Sequence, residues 1–185
     1  MTEVEEGSHC IDTFHVLYGL GGGVRALHKQ ARHAEANLEN ITAALDAQTR
    51  PRRGPGRPRK PTTLQTYDQA TTAAEAAGQR AQSGLYLYRE VRDALNPVDT
   101  DGQLISEASA RATLAAIAEL FREIGGQAIP LADQLEGAQT RVHVFRARFE
   151  QTYQDVVRRY GADLVAFVGW AWFHHRALHV QATRQ

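Results

Sequence analysis

The chain has 185 residues, 43% of them apolar, with 21 basic and 21 acidic side chains. This length allows one domain, or one domain with an extension, and the apolar content is sufficient for a core. Six of the basic residues lie within residues 50–60, so the remainder carries 15 basic against 21 acidic residues. That balance excludes nucleic-acid binding through the whole surface, but it allows binding through one local element.

The cysteine content and the N-terminal residues predict the compartment. Cys10 is the sole cysteine, which excludes a disulfide framework or a thiolate zinc site within one chain. The acidic start, "MTEVEEGSHC", lacks the pattern of a signal peptide. The longest apolar run, Leu164–Phe173, has ten residues, fewer than the roughly 20 that span a bilayer. We therefore expect a cytoplasmic protein with no membrane role, nucleoid-associated if it binds DNA.

Two interpretations fit the N-terminus. In "HCIDTFHVLYGLGGG", residues 9–23, the β-prone Ile11, Thr13 and Phe14 surround Asp12 ahead of a glycine cluster. The first interpretation is a short strand within residues 1–15 that enters the first helix. The second is that the first helix begins here, with Asp12 as its N-cap.

Two heptad series predict a pair of long helices at residues 16–48 and 62–95. In both, apolar or small residues recur in alternating steps of four and three. The loop at residues 49–61 is rich in proline and glycine and cannot continue a helix. We therefore predict an antiparallel, coiled-coil-like hairpin over residues 16–95. The series are Leu20, Val24, Leu27, Ala31, Ala34, Leu38, Ile41, Leu45 and Leu64, Tyr67, Thr71, Ala74, Gly78, Ala81, Leu85, Tyr88, Leu95.

Two further helical segments follow a turn at Asn96–Gln103. A third series predicts a second helical arm over residues 104–160, with a break near residues 125–130, where two glycines and a proline occur. An apolar C-terminal helix is expected at residues 163–180. The whole chain is thus predicted to be all-α. The third series is Ala110, Leu114, Ile117, Phe121, Ile124, Ala128, Leu131, Leu135, Ala138, Val142, Phe145 and Phe149.

The loop sequence "RPRRGPGRPRKP", residues 50–61, holds six cations, four prolines and no acid. Its centre, "GRPRK", resembles the AT-hook of the high-mobility-group A proteins. The resemblance implies that prolines hold the chain extended and that Gly56 lets the backbone approach the groove floor. Arg57 would then enter a narrow A·T minor groove. Pro55 stands where the motif has a second arginine, so one of the two groove-inserting side chains is missing.

The cations that flank this centre would meet phosphates and give salt-dependent binding. An alternative interpretation is a flexible basic connector between two helices, without a DNA role. The predicted DNA-binding residues are Arg50, Arg52, Arg53, Gly56, Arg57, Pro58, Arg59 and Lys60.

"CIDTFHVL" resembles the second catalytic aspartate of DDE transposases, whose RNase-H-like core carries Asp-x-Phe-His in several insertion-sequence families. Asp12, Phe14 and His15 match that motif, and a long helical stretch follows it, as in the family. The resemblance implies that Asp12 is a metal ligand in a site where carboxylates hold two Mg²⁺ ions for attack at a phosphate.

The chain matches only one of the family's acidic positions. The first aspartate would lie before Met1, and the third acidic residue would lie after Gln185. Glu136 and Glu150 are available, but each falls within a heptad helix. We therefore expect a truncated, catalytically incomplete chain in which Asp12 is vestigial, with no cofactor of its own; Mg²⁺ is implied only for a complete transposase.

The histidines "HHRALH" place His175 and His179 one helical turn apart, a spacing that can chelate a metal. Arg176 stands where a zinc protease would have its glutamate. With two tryptophans adjacent, we expect these histidines to be amphipathic residues at the end of a buried helix.

Two functions follow from these features. The first is a transposase-related helical DNA-binding region, with DNA as partner and with self-association or docking onto the remaining transposase parts. The second is a coiled-coil interaction or scaffold module whose loop is a connector. No small-molecule substrate is expected, and enzymatic activity of this chain alone is disfavoured because one carboxylate cannot hold two metal ions.

Overall fold

The protein is described by a computed structural model that covers residues 4–49 and 63–182. Five α-helices make up most of it: α1 (Val4–Thr49), α2 (Leu64–Ala94), α3 (Glu107–Ile124), α4 (Ile129–Tyr160) and α5 (Ala162–Ala182), with a 3₁₀ turn at Gly126–Ala128. No strand occurs in the described ranges; Val98 and Leu104 form one isolated bridge. The all-α prediction is confirmed.

The N-terminus differs from both interpretations of the sequence. Helix α1 begins at Val4, so residues 4–15 are helical and form no strand. Asp12 lies two turns inside this helix and is therefore not its N-cap. The preference of Ile11, Thr13 and Phe14 for strands is a weak local effect, and the cooperative extension of a long helix overrides it.

The other helix ends follow local chemistry. Thr63 and Ser106 adopt extended backbone angles, and their hydroxyl oxygens accept hydrogen bonds from the amides of Thr66 and Ser109, both at 3.2 Å. These are N-caps. Gly125, with φ 72°, ends α3, a left-handed conformation that favours glycine. The predicted break near residues 125–130 lies at this point.

Four helices share one hydrophobic core. Helix α1 packs on α2, α2 on α3, α3 on α4, and α4 on α1, which is the arrangement of a four-helix bundle. The sequence predicts residues 104–160 as a second helical arm, and in the structure α3 and α4 of this range share a core with α1 and α2. The most deeply buried large side chains are Phe121, Leu20, Leu27, Leu114, Leu135 and Val91.

Glycines allow the helices to approach closely. A Cβ added at Gly19 would meet the side chain of Gln134, and one added at Gly23 would meet Leu131. A Cβ at Gly84 would lie 2.6 Å from the Leu27 side chain. Of the glycine cluster at residues 21–23, Gly23 is thus part of the contact between α1 and α4, whereas Gly21 lies beside Tyr88 of α2.

The buried face of α2 differs from the predicted one. Ala74 and Ala81 are buried as expected, but Tyr67, Thr71 and Leu85 are only half-buried. Alanines are small enough to allow two different stripes, so the heptad pattern did not define the face. The buried residues of α2 are Ala70, Ala74, Ala77, Ala81, Gly84, Leu87, Val91 and Ala94.

We call residues 32–49 of α1 and residues 63–80 of α2 and its N-cap, the parts of these helices nearest to the basic segment in the chain, the arm. Helix α3 ends at Ile124, which lines the same groove as Gln82 of α2. Among the described side chains of α1, Ala31 is the last that is fully buried. Eighteen residues of helix extend about 27 Å, and Thr49 and Thr63 are the described residues at the two ends of this arm.

The core predicts a large cost for one truncation. Phe121 is 0% exposed, whereas its neighbour Leu120 is 43% exposed. We expect Phe121→Ala to lower the free energy of unfolding by about 3–5 kcal/mol, because it removes buried surface and leaves a cavity. Leu120→Ala should cost less than about 1 kcal/mol. Urea unfolding followed by circular dichroism measures both; equal effects would contradict the bundle core.

Candidate functional site

The predicted DNA-binding residues Arg50 to Lys60 lie outside the described residues, and the structure describes only the two helix ends that support them. At the first end, the Thr49 hydroxyl donates to the Asp46 carbonyl oxygen at 2.7 Å. At the second end, Thr63 caps α2. Both ends belong to the arm, so the basic segment connects its two helices.

The sides of the arm carry an excess of acidic side chains. Residues 32–49 and 63–80 contain five acids against two cations, all exposed. Phosphates are repelled by such a surface, so contact with DNA through the arm would be confined to the segment between its helices. The acids are Glu35, Glu39, Asp46, Asp68 and Glu75; the cations are Arg32 and Arg80.

Asp12 lies within α1, and its side chain lies outside the described ones. In the transposase motif the aspartate lies at the end of a strand, whereas Asp12 lies within a helix. His15, the third motif residue, is exposed. Among the described residues, no group of three His, Cys, Asp or Glu side chains is arranged to hold a metal ion.

The other two acids considered as metal ligands have structural partners. Glu136 accepts a hydrogen bond from Arg122 at 2.6 Å, and this bond lowers the pKa of the Glu136 carboxyl. Glu150 accepts a hydrogen bond from the Glu107 backbone amide at 3.2 Å, at the start of α3. Glu150 thereby compensates an amide that has no partner within its own helix.

Arg146 is the one charged residue buried among the described side chains, at 3% exposure. Its guanidinium donates to the carbonyl oxygen of Asn96 at 2.6 Å and to that of Ile105 at 2.9 Å. These carbonyls lie at the two ends of the connection between α2 and α3. Arg146 therefore ties that connection to α4, and each bond to a charged donor is stronger than a neutral one.

Polar side chains surround Arg146 and form what we call the Arg146 cluster: Glu107, Arg111, Gln139, His143, Arg146 and Glu150. His143 Nδ1 lies 2.5 Å from Glu107 Oε1, and Arg111 lies 3.7 Å from the same oxygen. Burial lowers the pKa of Arg146, while Glu150 and Glu107 oppose this shift. The Gln139 amide nitrogen is buried without a partner in the structure.

The Arg146 cluster has the geometry of a structural clamp. Its cations and carboxylates neutralise one another across α3 and α4. The Arg146 guanidinium, its strongest hydrogen-bond donor, donates to backbone carbonyls. Sequence reasoning missed it, because Arg146 follows Val142 by one helical turn and so interrupts an apolar stripe without any motif. The partners are 41 and 50 residues away in the chain, which no local pattern shows.

The histidines of α5 do not form a described metal site. His174 and His175 are exposed, and His174 packs on Trp170 with ring centroids 4.7 Å apart. The side chain of His179 lies outside the described ones. The tilted contact of His174 with an indole agrees with an amphipathic role. The expectation of a buried helix is wrong for the described side chains of α5, since Phe167 and both tryptophans are exposed.

Comparison with protein families, with curated proteins and with solved structures gave no match in any of the three. In the described part of the chain, no helix combines the length and apolar character that crossing a membrane requires.

The clamp predicts that Arg146→Met destabilises the fold. The substitution keeps the aliphatic volume but removes two charged hydrogen bonds to the part-buried carbonyls of Asn96 and Ile105, each worth about 1–3 kcal/mol. We expect a loss of about 2–4 kcal/mol in the free energy of unfolding. Arg148→Met, two residues along on the exposed side of α4, is the matched control and should change it by less than about 0.5 kcal/mol. If urea unfolding gave equal values, the clamp would be energetically irrelevant.

Proposed function

We propose that this chain is a helical DNA-contacting module, in which α1 and α2 form an antiparallel hairpin closed by the basic segment. Two contacts support the antiparallel direction. Gly21 lies beside Tyr88, and Gly84 lies against Leu27, so a later position in α1 meets an earlier position in α2. The four-helix core serves as the base, and the arm presents the segment to DNA.

The observation that carries the proposal is the separation of charge. Six of the 21 basic residues lie in residues 50–60, whereas the sides of the arm carry five acids and two cations. A connector needs neither the cations nor their clustering. An element that neutralises phosphates at one point needs both, and releases counterions when it does so.

The AT-hook resemblance suggests how the segment would contact a duplex. Arg57 would enter the minor groove, and Arg52, Arg53, Arg59 and Lys60 would contact phosphates. With Pro55 in place of the second arginine, the preference for A·T tracts should be small. Binding would thus be mainly electrostatic.

We further propose that the chain derives from the helical region that interrupts the core of a DDE transposase. The Asp-x-Phe-His motif at Asp12 and the long helical stretch after it support this origin. The helical backbone at Asp12 departs from the family. We therefore assign Asp12 no catalytic role in this chain, and Mg²⁺ only to a complete transposase.

A second candidate is an interaction module. Helix α5 exposes Leu164, Phe167, Val168, Trp170 and Trp172, an apolar surface that DNA binding does not explain. Exposed patches of this kind mark contacts with other proteins.

Electrophoretic mobility shift on AT-rich and GC-rich duplexes tests DNA contact. The native chain should bind both at 50 mM salt with a Kd of about 1–100 µM, and lose about 10²–10³-fold in affinity by 200 mM, as expected for four to six phosphate contacts. Replacing Arg52, Arg53, Arg59 and Lys60 together by alanine should weaken binding to both duplexes. It should also flatten the salt dependence.

Two single variants test the groove contact. Arg57→Ala should abolish any preference for the AT-rich duplex. Pro55→Arg should strengthen binding to it by about 1 kcal/mol or more, if a second arginine enters the groove. The control replaces four exposed cations elsewhere: Lys29, Arg32, Arg80 and Arg89. If the control lost as much affinity as the segment variant, or if no variant bound either duplex, the segment would be a connector.

A further inference from the structure

Helix α5 is apolar on the side that faces solvent as well as on the side that faces the protein. Leu164, Phe167 and Val168 recur at helical spacing on the outward face, and Trp170 and Trp172 flank it. Phe167 is 62% exposed, and the two tryptophans are 43% and 45% exposed. A helix that is apolar all round is normally buried, so this face requires a cover.

The position of α5 is fixed by a close contact between glycines. Gly102, in the connection between α2 and α3, would carry a Cβ that collides with the backbone of Ala166 and Trp170. A Cβ on Gly169 would lie 2.9 Å from the Gly102 carbonyl oxygen. Since only the glycine face of α5 fits this site, the helix cannot rotate to turn Phe167 inward.

The exposed area matches the lower limit of a specific symmetric interface. Aromatic side chains have about 150–250 Å² of surface each. At the observed exposures, the five outward side chains present roughly 500 Å² per chain, and a symmetric pair would bury about 1,000 Å². That is enough for a weak homodimer, and the patch of one chain lies within the range of about 300–600 Å² that is often functional on a monomer.

Polar residues at the two ends of this face favour an antiparallel pairing. Asp163 and His174 are eleven residues apart, about three turns, and lie on the same flank of the helix. In an antiparallel pair with its two-fold axis near residue 168, Asp163 of each chain meets His174 of the other. A parallel pair would form neither of the two contacts between Asp163 and His174, and the aligned dipoles of its helices would repel each other.

We propose that α5 is a self-association surface that pairs with α5 of a second copy of this chain, antiparallel, through Leu164, Phe167 and Val168. The tryptophans close the sides of the contact. The pairing gives the interaction function a defined partner, and it stands independently of DNA contact by residues 50–61. Each dimer would present two arms.

Sedimentation velocity of the full chain between about 1 and 100 µM tests the pairing, which at this interface area should dissociate in that range. The native chain should change from monomer to dimer, whereas Phe167→Asp and Val168→Asp should remain monomeric. Leu120→Asp, an exposed residue of α3 in the α2–α3 groove, is the matched control and should still dimerise. Trp170 and Trp172 are the sole tryptophans, so their emission should shift to the blue with dimerisation.

Cysteine cross-linking tests the direction in a Cys10→Ser background. With a short bis-maleimide, Val168→Cys should cross-link to itself, since it lies at the axis. Leu164→Cys should not, because the two copies would be about 13 Å apart along the helices. Cross-linking at both positions would mean parallel pairing and overturn the assigned geometry.

Three other results would contradict the proposal that α5 is the self-association surface. They are a chain that is monomeric at 100 µM, a dimer that persists in both aspartate variants, and a dimer that Leu120→Asp also dissociates. The first would leave the face to another protein. The other two would place the dimer contact elsewhere on the chain.

Discussion

At three contacts of α1, a glycine on one helix lies against a large side chain of another helix. Gly19 and Gly23 of α1 face Gln134 and Leu131 of α4, and Gly84 of α2 faces Leu27. Close approach of this kind increases the number of dispersion contacts per turn. A methyl group added at Gly23 or Gly84 would collide with the leucine on the other helix. The contacts of α1 with α2 and α4, and the contact of α5 with Gly102, depend on this constraint, since each has glycine at the closest approach.

The apolar pattern predicted α3 and α4 well, because their contacts use large side chains. Leu114, Phe121 and Leu135 are large apolar residues at helical spacing. A 3.6-residue period through them indicates one buried face of the helix. In α2 the pattern did not predict the buried face, because alanines lie on two neighbouring stripes of the helix and both stripes have the same hydropathy. The contact between α1 and α4 joins the predicted hairpin and the predicted second arm into one bundle. It depends on the tertiary arrangement, which the spacing of apolar residues within one helix does not determine.

The parts of the candidate site differ in how far the sequence revealed them. The basic segment was evident from composition, because charge separation is a property of the chain itself. The Arg146 cluster was not, since a buried arginine is recognised by its partners, and these are backbone carbonyls distant in sequence. Residue type alone made Glu136 and Glu150 candidate metal ligands. In the structure Glu136 is paired with Arg122, and Glu150 accepts a hydrogen bond from the backbone amide of Glu107 at the start of α3.

Arg146 and Gly102 act on the same short stretch of chain. The guanidinium holds both ends of the connection between α2 and α3, and Gly102, within that connection, receives α5. Order in α5 therefore depends on a charge buried in α4. In hydrogen-exchange terms, we expect the amides of residues 98–105 and those of α5 near Trp170 to open as one unit. A fluctuation that releases the arginine would free the connection and the terminal helix together, while the core around Phe121 stays closed.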